Sequence, residues 1–240
     1  MYFLALATDY DGTIAQNSTV PHSTIAALVK FKETGRRIIL VTGRDLRDLK
    51  RNFSELALFD RIVAENGALL YDPTTGEKRL LAAAPPVIFL EKLKERKVSP
   101  FAVGESIVAT WQPHETAVLE IIRELGLDLQ IIFNKDAVMV LPSGMNKAVG
   151  LAIALNELGL PAERVVGVGD AQNDHAFLAA CGCAAAVANA LPMVKESADI
   201  VLERDHGGGV EDLIDSILRD DAALPRHAPP SSDPIEAAIA

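Results

Sequence analysis

The stretch Phe3-Leu4-Ala5-Leu6-Ala7-Thr8-Asp9-Tyr10-Asp11-Gly12-Thr13 decides the fold. A short apolar run without alternation reads as a strand buried on both faces, the habit of parallel sheets. It stops abruptly in acid, glycine and hydroxyl. Asp9 and Asp11 are two apart, so in extended chain they face the same side. Two close carboxylates cannot both ionise freely, and their proton affinities split. The ionised one suits attack on phosphorus, and the other suits protonation of a leaving oxygen. Gly12 permits a sharp turn and lets an anion approach backbone N–H groups.

Working outward, the same pattern repeats. Ser23–Thr34 has helical spacing and ends at Gly35; Arg37–Val41 is apolar and ends in Thr42-Gly43-Arg44. Asp45–Leu56 reads as a helix, and Arg61–Ala64 as a third strand, followed by Glu65-Asn66-Gly67. Past the middle, Lys147–Leu158 is an Ala- and Leu-rich helix, and Arg164–Val168 runs into Gly169-Asp170-Ala171-Gln172-Asn173-Asp174. Shorter elements follow, with a closing helix over Val210–Leu218. Strands alternating with helices predict an α/β fold, a Rossmann-like parallel sheet covered on both faces. Ligands of such sheets sit beyond the carboxyl ends of the strands, where the three polar motifs meet. Asp9, Asp11, Asp170 and Asp174 together need a cation, and hard oxygen donors near a phosphate favour Mg²⁺.

Between these halves the order is αββαββ. A helix opens at Pro85-Pro86, and two short runs follow, Phe101–Val103 and Ile107–Trp111. A second helix spans His114 to Leu125, and two further runs, Leu129–Phe133 and Ala137–Leu141, are split by Asn134-Lys135-Asp136. The expected organisation is a discontinuous core, 1–71 and 144–220, with an α+β cap inserted at 72–143. Residues 221–240 read as a disordered tail or a linker.

Bulk properties narrow the function. The chain has 240 residues, 49% of them hydrophobic, and a formal net charge of -10. An acidic surface argues against nucleic acid and anionic membranes as partners. No apolar run reaches the ~20 residues of a membrane span, and the N-terminus lacks the basic region of a signal peptide. Cys181 and Cys183 lack zinc-site company and read as buried thiols near the end of a helix, in keeping with a reducing cytoplasm.

The motifs, taken in order, resemble the haloacid dehalogenase superfamily of phosphotransferases. Asp9-Tyr10-Asp11-Gly12-Thr13 is similar to its first motif, Thr42-Gly43-Arg44 to its second, Lys147 at a helix start to its third, and Gly169-Asp170 with Asn173-Asp174 to its fourth. Glu65-Asn66-Gly67-Ala68, Asn146-Lys147 and the position of the insert resemble the Cof-type branch, subfamily IIB. The cap's small size resembles archaeal-type phosphoglycolate and sugar-phosphate phosphatases. The resemblance implies a Mg²⁺-dependent phosphatase acting on a small phosphorylated metabolite through an aspartyl-phosphate. It implies Asp9 as nucleophile and metal ligand, and Asp11 as general acid and then base, its carbonyl also on the metal. Thr42 and Gly43 would bind phosphate, Lys147 would neutralise it, and Asn173 would hold the phosphate or the acidic loop. Asp170 and Asp174 would complete the metal site.

Arg44 either holds an acidic substrate group or pairs with a neighbouring carboxylate. Gly104-Glu105-Ser106 and Asn134-Lys135-Asp136 are candidate cap contacts, or plain tight turns. His175 reads as solvated, and Gly207-Gly208-Gly209 as a flexible connection. Two other functions are compatible with the residues. One is a phosphomutase. The other is a module of a larger protein with a fused C-terminal domain, suggested by the proline-rich end.

Overall fold

The computed structural model describes residues 1–227. Its larger sheet contains β1 (Ala5–Thr8), β2 (Arg37–Val41), β3 (Arg61–Ala64), β4 (Leu69–Tyr71), β5 (Lys78–Leu80), β10 (Val165–Gly169), β11 (Cys183–Ala186) and β12 (Ile200–Val201). The spatial order is β12-β11-β10-β1-β2-β3-β4-β5. All neighbours from β12 to β3 run parallel, whereas β4 and β5 add an antiparallel edge. Every residue of β1 and β10 is buried, as strands covered on both faces must be.

The chain leaves β1 toward β2 through α1 (His22–Glu33) and leaves β10 the other way, toward β11, through α6 (His175–Ala179). Right-handed crossovers in opposite directions put these helices on opposite faces. The crevice at the reversal, between β1 and β10, is where such sheets bind ligands. α5 (Lys147–Leu158) packs on α6 and β3, α7 (Pro192–Ser197) packs on β11, and α1 packs on α8 (His206–Asp220). α2 (Leu46–Asn52) is shorter than its sequence suggests, and the chain beyond it makes a single 3-10 turn at Leu56–Leu58.

The second sheet has the order β6 (Phe101–Val103), β7 (Val108–Trp111), β9 (Ala137–Pro142), β8 (Leu129–Asn134), all antiparallel. With α3 (Val87–Glu95) and α4 (Glu115–Glu124) it buries its own cluster, including Phe89, Leu93, Val118, Ile121 and Val140. This is the expected αββαββ order.

The structure differs from three expectations. Residues just past Asp72, read from sequence as part of the insert, join the larger sheet. Lys78–Leu80 pairs with β4 in the larger sheet, closing a hairpin through the turn after Asp72. Gly207-Gly208-Gly209 is not a flexible connection but the first turn of α8, and a Cβ at Gly207 would run into Thr24 Oγ1. Cys183 lies on β11 rather than at a helix end, although both thiols are buried as expected.

The chain past 220 also departs from a plain tail. Asp221 accepts hydrogen bonds from the Tyr2 and Phe3 N–H groups and from Arg36, Leu224 is buried, and the His227 N–H donates to the Gly182 carbonyl. Residues 221–227 therefore dock on the core, while the rest of the proline-rich end lies outside the described residues. Among the described residues no helix is long and apolar enough to cross a membrane.

Candidate active site

Asp9 follows β1 directly, and its N–H donates to the Val168 carbonyl of β10, so the backbone ladder fixes it at the crevice. Asp170 follows β10 at the same edge. Gly12 sits between them at φ 89°, where a Cβ would lie 2.4 Å from Asp170 Oδ2; only glycine fits this close approach. Carboxylate oxygens of Asp9, Asp170 and Asp174 all lie within 4.8 Å of one another, and all three residues are buried.

Lys147 reaches the cluster from the first position of α5. Its Nζ donates to Asp9 Oδ1 at 2.5 Å and to Asp174 Oδ1 at 2.6 Å. A cation at a helix N-terminus opposes the helix dipole, so only these carboxylates account for a buried ammonium there. Asn146 caps the same helix, its side chain accepting from the Val149 N–H, and so sets the direction of Lys147. Asp174 Oδ2 accepts the N–H groups of Asp170 and Ala171, which folds the fourth motif around the site. Thr13 Oγ1 donates to Asp170 Oδ1 at 3.2 Å, and Lys135 Nζ, from the cap turn between β8 and β9, donates to Asp170 Oδ2 at 2.8 Å.

The electrostatics show surplus acid. Burial above all, with the Asp174 carboxylate behind it, pushes the Asp9 carboxyl well above its usual range against the pull of Lys147. Burial and Asp174 likewise raise Asp170, against Lys135 and Lys147. Burial alone would lower the Lys147 ammonium, but Asp174 and Asp9 together outweigh it and hold the proton on nitrogen. Two lysines against three carboxylates leave negative charge that a proton or a metal cation must balance. Hard carboxylate oxygens converging on one point fit a divalent cation, and Asp9, Asp170 and Asp174 are the residues that could hold it.

Asp11 stands apart from the buried cluster. Arg44 grips it with two bonds, Nε to Oδ2 and NH2 to Oδ1, both 2.6 Å, and also bonds Asp48 and Ser18. Of the two readings of Arg44, the pairing with a neighbouring carboxylate is the one found here. Thr42 is buried at the end of β2, its Oγ1 accepting from the Arg44 N–H. Gly43 lies against the Asn66–Asn173 pair, in which Asn173 Nδ2 donates to Asn66 Oδ1 at 2.9 Å. Asn173 Oδ1 is buried without a partner among the described residues.

The structure thus brings Asp9, Asp170, Asp174, Lys147, Thr42, Gly43 and Asn173 to one sheet edge, with Asp11 and Arg44 beside them. His175 bonds Ser197 on the surface, away from this chemistry. Glu65 and Asn66 carry more than their sequence motif suggested, since both make contacts to the cap. The available signal was their place at the end of a third parallel strand. Cap and core together line an open cleft of about 430 Å³, with Gln112, Ile131, Phe133 and Lys135 on the cap side and Gln172 and Asn173 on the core side.

A family model of haloacid dehalogenase-like hydrolases matches residues 6–110 and 112–214. The chain belongs to this family, and it is a phosphatase. It is 30% identical over 218 residues to the phosphoglycolate phosphatase of Methanothermobacter thermautotrophicus, covering 88% of this chain and 96% of the relative. It is also 30% identical over 226 residues to phosphoglycolate phosphatase 2 of Saccharolobus solfataricus, covering 90% and 92%. The fold is similar to that of a subclass IIB sugar phosphatase, with a TM-score of 0.72, 21% identity and coverage of 90% and 98%.

Proposed function

We propose that the enzyme hydrolyses a small phosphorylated metabolite, phosphoglycolate or a sugar phosphate, through an aspartyl-phosphate on Asp9 with Mg²⁺ bound. The observation that carries this reading is the convergence of Asp9, Asp170 and Asp174 with Lys147 wedged between Asp9 and Asp174. Asp9 and Asp170 would hold the metal, and Asp174 would orient it. The bound cation would supply charge neutralisation at the phosphoryl oxygens and at the nucleophile.

In the first step an Asp9 carboxylate oxygen bonds to phosphorus as the ester P–O bond breaks, and Asp11 gives its proton to the leaving oxygen. In the second, water bonds to phosphorus as Asp11 takes its proton, the P–O bond to Asp9 breaks, and inorganic phosphate leaves. Asp11 must first turn out of the two-bond grip of Arg44 to act as a donor. Thr42, Gly43 and Lys147 bind the phosphoryl group, which suits a reaction that depends on positioning and charge. Asn173 offers a buried polar end to the same pocket. Exchanging O and N in both amides of the Asn66–Asn173 pair would keep their mutual bond and put an N–H donor where Asn173 Oδ1 now lies, at the cost of the Asn66 contact to Met139.

The relatives named as phosphoglycolate phosphatases support that substrate, and a cleft of about 430 Å³ also has room for a sugar. The buried, free thiols of Cys181 and Cys183 fit a cytoplasmic setting. The test is phosphate release from a panel of phosphorylated metabolites, with Mg²⁺ or chelator, by wild type and Asp9→Asn. Release that needs Mg²⁺ and disappears in the variant is expected. Equal release by Asp9→Asn would overturn the nucleophile assignment, and transfer within one sugar without free phosphate would indicate a mutase.

A further inference from the structure

Glu65 is a buried carboxylate with no Lys or Arg paired to it among the described residues. Its partners are backbone N–H groups of the cap. Glu65 Oε1 and Oε2 accept from the Glu105 N–H at 2.9 and 3.0 Å, and Oε2 also accepts from Ser106 at 2.7 Å and Ile107 at 3.1 Å. Three consecutive N–H groups converging on one anion form a nest. Here the turn between β6 and β7 supplies the nest, and the core supplies the anion. Gly104 keeps the entrance open, since a Cβ there would lie 2.8 Å from Glu65 Oε2.

The core side is built to present this carboxylate. Glu65, Asn66 and Gly67 all have positive φ, at 52°, 53° and 100°. Two successive non-glycine residues in the left-handed region are strained, and such strain persists where the surroundings fix it for a purpose. The Glu65 N–H donates to the Arg44 carbonyl, and the Asn66 N–H donates to the Thr42 carbonyl. The Asn66 side chain bonds Asn173 on one side and contacts Met139 of the cap on the other. The segment is thus tied to the cap, to the Thr42–Arg44 loop and to the Asn173 loop at once.

We propose that Glu65 is a positioning residue that latches the cap turn Gly104–Ile107 to the core and so sets the cleft into which the cap presents Lys135. The inference rests on the phosphatase reading only insofar as substrate fills that cleft. Within the same turn Ser106 Oγ also donates to the Ala82 carbonyl at 2.6 Å, while the ties of Lys78 to Glu105 and of Arg47 to the Val103 carbonyl are exposed and weak by comparison.

The test is amide hydrogen exchange on the full chain, with steady-state kinetics, for Glu65→Gln and Glu65→Ala. Losing a charged acceptor should speed exchange of the 105–107 amides about tenfold or more, with β1 and β10 amides unchanged. KM for the best metabolite should rise about tenfold with kcat nearly unchanged, and Gln should be milder than Ala. Wild-type protection of 105–107, or an unchanged KM, would overturn the proposal. If Glu65→Ala does not fold, Gly104→Ala is expected to show the same local loss of protection, and its absence overturns the latch. If wild type hydrolyses no metabolite, the proposed function fails, and the exchange data alone decide the latch.

Discussion

Lys147 Nζ bonds Asp9 Oδ1 at 2.5 Å, at a position where the lysine is 1% exposed and faces Asp174 with its other bond. The lysine therefore holds the proposed nucleophile and the loop of the fourth motif in one geometry. Lys147→Ala should lower kcat by about 10²–10³, the scale of removing one preorganised charge from a dry site. It should also destabilise the fold by about 3–5 kcal/mol, because the buried Asp9 and Asp174 carboxyls then face each other with no cation between them. Lys147→Arg should not restore activity, since a planar guanidinium needs space that a buried ammonium does not. Kinetics and denaturant melts of the two variants check this, and near wild-type turnover by Lys147→Ala would refute it.

The acid cluster predicts a pH-dependent response to metal. Burial and Asp174 raise the Asp9 and Asp170 carboxyls, so the folded protein binds more protons there than the unfolded chain does. Stability from these groups is therefore fullest below about pH 4 and falls as pH rises through their folded values. A divalent cation bound at these carboxylates would take the place of those protons. The rise in Tm on adding Mg²⁺ should thus be larger near pH 8 than near pH 5, and small in Asp170→Asn. Thermal melts with Mg²⁺ and with chelator measure it. A shift that is absent, or equal at both pH values, would count against a metal at these carboxylates.

Asp11 and Arg44 give a third expectation. Asp11→Asn keeps the shape of the side chain but removes its proton chemistry, so kcat should fall by about 10²–10⁴. If Asp11 activates water in the second step, substrate labelled in its phosphate should leave acid-stable label on the protein in Asp11→Asn and none in Asp9→Asn. Arg44→Lys keeps charge but loses the fork that holds Asp11. It should alter the pH profile of kcat. An unchanged profile would mean that the Arg44–Asp11 pair plays no part in turnover.

The chemistry was legible in sequence because parallel strands bring their carboxyl ends to one edge. Polar motifs after β1, β2 and β10 had to meet once the apolar runs were read as neighbours. Other features depend on contacts between distant segments and leave little local trace. Glu65 binds N–H groups 40 to 42 residues away, and a backbone donor has no side-chain signature. β5 was missed because Lys78-Arg79-Leu80 is an exposed edge with no apolar run. The two readings of Arg44 could not be separated until Asp11, 33 residues earlier in the chain, lay against it.

The docked segment after α8 shows the same limit, and it carries a prediction about stability. Asp221 reads locally as one more acid before an Ala- and Pro-rich end. In the fold its Oδ2 accepts from the Tyr2 N–H at 2.7 Å, the Phe3 N–H at 3.3 Å and Arg36 at 2.9 Å, tying the C-terminal side of the core to β1's approach. Burial would raise this carboxyl, but the bonds from Arg36 and Tyr2 and the nearby amino terminus outweigh it and bring it below the usual value. A depressed carboxyl stabilises the fold above its unfolded value near 4 and loses that contribution as pH falls through the folded value. Asp221→Asn should therefore cost about 1.5–3 kcal/mol at neutral pH, the range for hydrogen bonds to a charged group. The difference from wild type should shrink as pH falls below about 4, where the wild-type carboxyl also takes up its proton. Urea melts across that range decide it. A cost that stays constant with pH would mean that Asp221 acts through shape rather than charge, and that the segment docks by Leu224 packing instead.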